Sequence, residues 1–223
     1  GRRSSATDAS RTPSMPEPVL VIACGALARE IAVLRRRYRL DHLDVVAIDA
    51  RLHNRPAEIP ARLRDAIRQH RDGYERVFVA YADCGTAGGI DAVIAEEGIE
   101  RLPGAHCYEA FTGAARFAEL AAEEPGTFYL TDFLARHFDR LVLEPLGLDR
   151  HPELRDAYFG NYRRVVYLEQ THDERLAKMA ADAAFRLGLD FELVHTGYGD
   201  LETSLLAQSY GHGHGEEDTR LLA

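Results

Sequence analysis

Three cysteines stand in the 223 residues, each where an apolar run gives out or just past a tight turn. Cys24 closes Val19-Leu20-Val21-Ile22-Ala23, Cys84 follows Val77-Phe78-Val79-Ala80-Tyr81-Ala82-Asp83, and Cys107 follows Leu102-Pro103-Gly104-Ala105-His106. In an open parallel α/β sheet, ligands bind in the crevice beyond the carboxyl ends of the strands. Thiols delivered there by separate segments can converge on one point. Three thiolates, with or without His106, are a donor set for zinc; three alone suit an iron–sulfur cluster with one iron left open. Closed structural zinc sites take their cysteines in close pairs, whereas these are dispersed. Dispersal points to a metal site assembled by the fold, with an open position for a small-molecule substrate.

Two segments carry the supporting groups. In Asp83-Cys84-Gly85-Thr86-Ala87-Gly88-Gly89 a strand end meets a helix start, which places backbone N–H groups beside the thiol and favours its thiolate. Gly85, Thr86 and Gly88 are therefore the candidate cofactor-binding positions. The loop lacks the lysine of a P-loop and the spacing of a dinucleotide fingerprint. In Gly104-Ala105-His106-Cys107-Tyr108-Glu109, His106 is the candidate fourth ligand or proton carrier. Glu109 and Asp83 are the candidate catalytic carboxylates, as base or as groups that orient the ligands. Taken singly, a cysteine in a glycine turn or a histidine beside it reads equally well as ordinary packing. It is the joint placement that favours a metal centre. His53 and His172 lie just beyond two further strands and are additional candidate ligands, and His195 ends the last strand. Thr171 and Asp173 also read as helix caps.

Composition narrows the class. A formal net charge of −9 argues against nucleic acid or an anionic membrane as partner. Arg35-Arg36-Arg37 reads as the solvated C-terminal end of a helix. No stretch approaches the roughly 18 apolar residues that span a bilayer, and residues 1–18 lack the hydrophobic region of a secretory signal. An odd, low cysteine count without short spacings speaks against a secreted disulfide framework and for a reducing cytoplasm.

The elements that must position these groups alternate. Strands are expected at 19–23, 43–48, 76–82, 99–102, 127–130, 164–169 and 190–195. Helices are expected at 27–38, 55–70, 108–123, 132–146, 152–159, 173–187 and 201–208, with another closing at Glu97. The alternation predicts an α/β fold with a mostly parallel sheet and helices on both faces. The helical stretch 108–159 reads as an insertion. Residues 1–17 read as a flexible leader, 18–208 as a single α/β domain, and 209–223, with His212 and His214, as a flexible His/Gly/acidic tail.

Seven segments, in order, resemble a bacterial and archaeal family known as domain of unknown function 1638. They are Ala23-Cys24-Gly25-Ala26-Leu27, Leu52-His53-Asn54-Arg55-Pro56, Asp83-Cys84-Gly85-Thr86, His106-Cys107-Tyr108-Glu109, Glu124-Pro125-Gly126-Thr127-Phe128, Thr131-Asp132-Phe133-Leu134 and Tyr158-Phe159-Gly160-Asn161-Tyr162. The resemblance covers residues 19–206. One departure is Ala87, where relatives are expected to carry glycine. The resemblance implies a setting near corrinoid-dependent methylamine or betaine methyltransferases, hence one-carbon metabolism. It makes a corrinoid a candidate cofactor and a corrinoid methyltransferase system a candidate partner. Separately, a second copy of the chain is a candidate partner. Two readings follow: a metalloenzyme with a Cys24/Cys84/Cys107 centre, or a non-catalytic carrier of metal or corrinoid. An enzyme should enclose its site in a pocket; a carrier should expose the site or an apolar patch.

Overall fold

The computed structural model describes residues 16–209. The expected leader and tail therefore lie almost wholly outside the described residues. Strand β1 (Val19–Cys24) is apolar at every position and buried at every position. Such a run suits only the middle of a sheet covered on both faces, and β1 is central. Strand β2 (Leu43–Ile48) pairs on one side and β3 (Arg76–Ala80) on the other, with β4 (Glu100–Arg101) beyond β3, all parallel.

Helices α1 (Ala28–Tyr38), α2 (Ile59–His70) and α3 (Gly89–Glu97) connect these strands. Each turns an apolar stripe inward: Ile31 and Leu34, then Ile59, Leu63 and Ile67, then Ile90 and Val93. The order β2-β1-β3 sends the first crossover one way and the second back past β1. With right-handed connections, α1 and α2 lie on opposite faces.

The remaining strands form a second parallel sheet in the order β5-β6-β7: β5 (Thr127–Thr131), β6 (Arg164–Glu169) and β7 (Asp190–His195). The parallel α/β class is as expected; its division between two sheets, each with its own core, was not foreseen. Alternate residues of β6 serve different layers. Val165 and Tyr167 pack with helix α9 (Glu174–Leu187), whereas Val166 and Leu168 meet Leu120 of α5 (Ala114–Glu123).

The chain passes between the two halves twice. Helix α4 (Cys107–Thr112) and α5 lead outward, with Gly113 at φ 77° breaking the single helix expected over 108–123. Within the expected 108–159 insertion, β5 opens the second sheet. It is followed by α6 (Asp132–Arg136), a π turn (Asp139–Leu143), α7 (Glu144–Leu146) and α8 (Arg155–Phe159). Helix α10 (Gly199–Ala207) then returns, placing Tyr198, Leu201 and Leu205 in the first core. A side chain at Gly199 would come within 2.5 Å of the Ala110 and Phe111 carbonyls, so α10 clamps the helix that begins at Cys107. Among the described residues, no helix is long and apolar enough to cross a membrane.

Candidate thiol centre

Each cysteine is placed by a different device. Cys24 is the last residue of β1, and its sulfur accepts from the Ala26 N–H at 3.4 Å. Gly25 follows because a side chain there would approach the Ile48 carbonyl oxygen to 2.7 Å. Cys84 sits at φ 50°, a left-handed conformation costly for a side-chain-bearing residue. Its N–H donates to the Ala105 carbonyl at 2.7 Å, which ties the Cys84 loop to the segment before Cys107. Cys107 opens α4. All three are free thiols.

The glycine loop does something other than cradle a ligand. Its donors are taken by Asp83: the Ala87 and Gly88 N–H groups donate to its carboxylate at 3.2 and 3.0 Å, and the Thr86 hydroxyl at 2.6 Å. Burial pulls Asp83 upward, but these hydrogen bonds outweigh it and hold the carboxyl below its ordinary range. Gly85 and Gly88 have φ of 81° and 84°, the conformations a tight turn requires. Gly85, Thr86 and Gly88 thus shape the loop around Asp83, and Asp83 is placed to position Cys84. Ala87 at φ 54° occupies a site that glycine would fill without strain, which accounts for the glycine expected there.

Glu109 is likewise engaged with backbone. Its Oε2 accepts from the Ala105 N–H at 2.9 Å and so fixes the turn into α4. His106 turns into an aromatic group, with its ring centroid 4.9 Å from Phe117 and 5.4 Å from Tyr108. Its Nδ1 is buried without a hydrogen-bond partner among the described residues. Burial lowers its pKa, with Glu109 opposing. The imidazole that does meet the thiols is His53. Its Nδ1 lies 2.8 Å from the Ala50 carbonyl, which as an acceptor assigns the proton to Nδ1 and leaves the Nε2 lone pair free. Nε2 is 3.9 Å from the Cys24 sulfur, and the ring stacks on Tyr81. Burial pulls His53 down, but hydrogen bonding and charge interaction with Cys84, together with the Ala50 contact, move it up on balance. Arg101, ion-paired with Asp91, presents a positive charge to Cys84.

The three sulfurs sense one another. Burial pushes Cys24 up to about 11, and burial, reinforced by Cys84 and Cys24, raises Cys107 well above the ordinary thiol value. Tyr81 is raised by burial and then by interaction with all three cysteines. All three cysteines sit in or against the first core, yet not as a tight donor set. Among the described residues, the one group of three or more His, Cys, Asp or Glu donors with ligand atoms all within 4.8 Å is Glu169, His172 and His195. A single ion with bonds of ~2.3 Å would hold thiolates roughly 3.8 Å apart, closer than these thiols stand as a set.

His53 and Cys107 also wall a cleft of ≈ 420 Å³. Ala26 and Ala50 line it from the first half; Phe128, Phe133, Tyr158, Phe159 and Tyr162 line it from the second. On the first sheet it lies beyond the carboxyl ends of the strands, where the α/β rule places ligands. Sequence reasoning reached the cysteines, and considered His53, because chemistry-bearing residues at strand ends are visible in a linear pattern. It missed Tyr81 and Arg101, and the aromatic wall, because apolar and aromatic residues carry no mark of facing a cleft.

Comparison with known proteins adds the following. The family model of a protein of unknown function (DUF1638) matches residues 47–205. No curated protein matches the chain. Among solved structures, ornithine carbamoyltransferase from Pyrococcus furiosus is similar at 14% identity over 81% of this chain and 55% of its own, with a TM-score of 0.27. The chain spans about half the length of that enzyme, and so slight a likeness carries no argument about activity.

Proposed function

This chain belongs to the DUF1638 family, and we propose that it is a metal- or cluster-binding enzyme of one-carbon, methylated-amine metabolism, its centre held by Cys24, Cys84 and Cys107. The observation that carries the reading is that three thiols from three separate elements sit in or against one core, with His53 Nε2 3.9 Å from the Cys24 sulfur and its Nδ1 turned to the Ala50 carbonyl. Cys24 and Cys107, raised by burial, lack an adjacent positive charge that would let them ionise. A metal supplies it, because a coordinating thiol is deprotonated outright.

Thiols not all within 4.8 Å of one another suit a polynuclear cluster better than a single zinc ion. When bound, such a group supplies a Lewis-acidic position. The protein's own contribution is then His53 as ligand or proton carrier, Tyr81 as the buried hydroxyl facing Cys24, and Asp83 and Glu109 as the groups that fix the two loops. The aromatic wall suits a small methylated ammonium compound, whose charge is attracted to ring faces. A corrinoid, larger than this cleft, would meet it only at the mouth. The three free thiols fit a reducing, cytoplasmic setting.

The rival reading, a carrier without catalysis, draws on Phe185, Phe191 and Leu193, which are exposed beside the free edge of the second sheet. The walled cleft favours the enzyme. The test is elemental analysis and a visible spectrum of anaerobically purified protein, before and after supply of iron and sulfide. The expected result is a brown protein whose iron and sulfide are lost in Cys84→Ser. A chain that takes up neither iron, sulfide nor zinc in a cysteine-dependent way would sink the proposal.

A further inference from the structure

A cluster of potential ligand side chains, separate from the thiol centre, lies in the other half of the molecule. We propose that Glu169, His172 and His195 bind a divalent first-row transition-metal ion as a two-histidine, one-carboxylate face. The Oε2 of Glu169 lies 3.0 Å from His195 Nδ1 and 3.1 Å from His172 Nδ1, and the three donor atoms all fall within 4.8 Å of one another. With bonds of ~2.1 Å, the carboxylate oxygen and each imidazole nitrogen, 3.0 to 3.1 Å apart, would subtend about 90–95° at an ion. That is the angle between neighbouring positions of an octahedron. It is smaller than the tetrahedral angle, which would need roughly 3.4 Å. Three ligands on one octahedral face leave open positions for water or substrate.

The surroundings make this more than a chance meeting of side chains. Glu169 is 5% exposed at the end of the central strand β6, and its recorded ion partners are the two imidazoles. A buried carboxylate needs a compensating positive charge. The imidazoles stack face to face, centroids 3.9 Å apart and planes within 13°. The lone pair of a ligating imidazole lies in its ring plane, so binding one ion requires the His172 ring to turn out of this stack, which its exposed position allows.

Both histidines are also held from behind. The Thr196 and Gly197 N–H groups donate to the Glu169 carbonyl at 2.9 and 3.3 Å, which anchors the turn after His195. The buried Asp132 accepts from the Gln170 and Thr171 N–H groups and from the Thr171 hydroxyl at 3.0, 3.1 and 2.5 Å, which anchors the turn before His172. Ligands whose loops are fixed by their own hydrogen bonds lose little freedom on binding metal. The side chain of His172 is 78% exposed and lines an open groove with Arg29 and Lys178, so an ion has a route in.

The probe is Co²⁺, added anaerobically to the full chain in which His212 and His214 have been replaced by glutamine to remove the donors of the tail. The expected result is one ion with the weak visible absorption of six-coordinate nitrogen and oxygen ligation, present whether or not Cys24, Cys84 and Cys107 are changed to serine. His172→Ala and Glu169→Gln should each weaken that ion at least tenfold while leaving any sulfur-to-cobalt charge-transfer band unaltered. Unchanged cobalt binding in His172→Ala, an exposed position whose loss cannot unfold the chain, would overturn the proposal. So would a chain whose only cobalt is bound to sulfur.

Discussion

At the scale of single residues, the thiol centre is governed by desolvation. Cys24 lies 2% exposed between two strands, and burial carries its pKa to about 11. Only the thiolate reacts with an alkylating agent. At pH 8 roughly one Cys24 in a thousand is ionised, against about a quarter of ordinary thiols with a pKa near 8.5. In the metal-free folded protein, Cys24 should therefore react with iodoacetamide at least a hundredfold more slowly than after unfolding, as read by mass spectrometry. Equal rates in the two states would show that burial does not control this thiol. His53 illustrates the complementary effect: one backbone carbonyl decides which ring nitrogen keeps its proton, and so which one is left to face sulfur.

At the scale of elements, the segment between β3 and α3 is held by Asp83. Asp83 gathers two backbone N–H groups and one hydroxyl, and these let Cys84 and Ala87 persist in left-handed conformations. Asp83→Ala should cost about 1–3 kcal/mol in denaturant unfolding near neutral pH. Because Asp83 is held below the ordinary carboxylate range, its contribution is complete above that range and is lost as the pH falls through it to the lower folded-state value. The cost of the substitution should shrink accordingly in acid. An equal cost at all pH values would mean that the ionised carboxylate is not what organises the loop. The motif around Cys84 was legible as a strand-to-helix turn. Its role as a self-contained Asp83 cage was not, because nothing in a glycine-rich spacing says whether the N–H groups face outward to a ligand or inward to a side chain.

At the scale of the whole molecule, the two halves meet where Glu30 of α1 approaches Asp132 and Arg136 of α6. Glu30 is 3% exposed, and its Oε2 has no hydrogen-bond partner among the described residues. Burial raises its pKa, and Asp132 adds to the rise while Arg136 opposes it. A raised carboxyl binds its proton more tightly when folded, so its effect is to lower stability as the pH climbs through and above the carboxylate range. Glu30→Gln should gain about 1–2 kcal/mol over the parent at pH 8 and much less at pH 4, measured as the difference between paired unfolding curves. A difference that does not vary with pH would place Glu30 in contact with water.

The linear pattern alone determined that this is a parallel α/β protein and that its cysteines lie near strand ends. Continuous apolar runs such as 19–23 have no stable place except a doubly covered parallel sheet, and the residue that ends such a run must emerge at its rim. Only the tertiary structure decided that the strands divide between two sheets, that α10 returns to the first core, and that His53 rather than His106 faces the thiols. It also brought Glu169, His172 and His195 to one point. Those outcomes depend on which surfaces meet across distances of 26 residues and more. Periodicity records how a segment is buried, and carries no term for the partner that buries it.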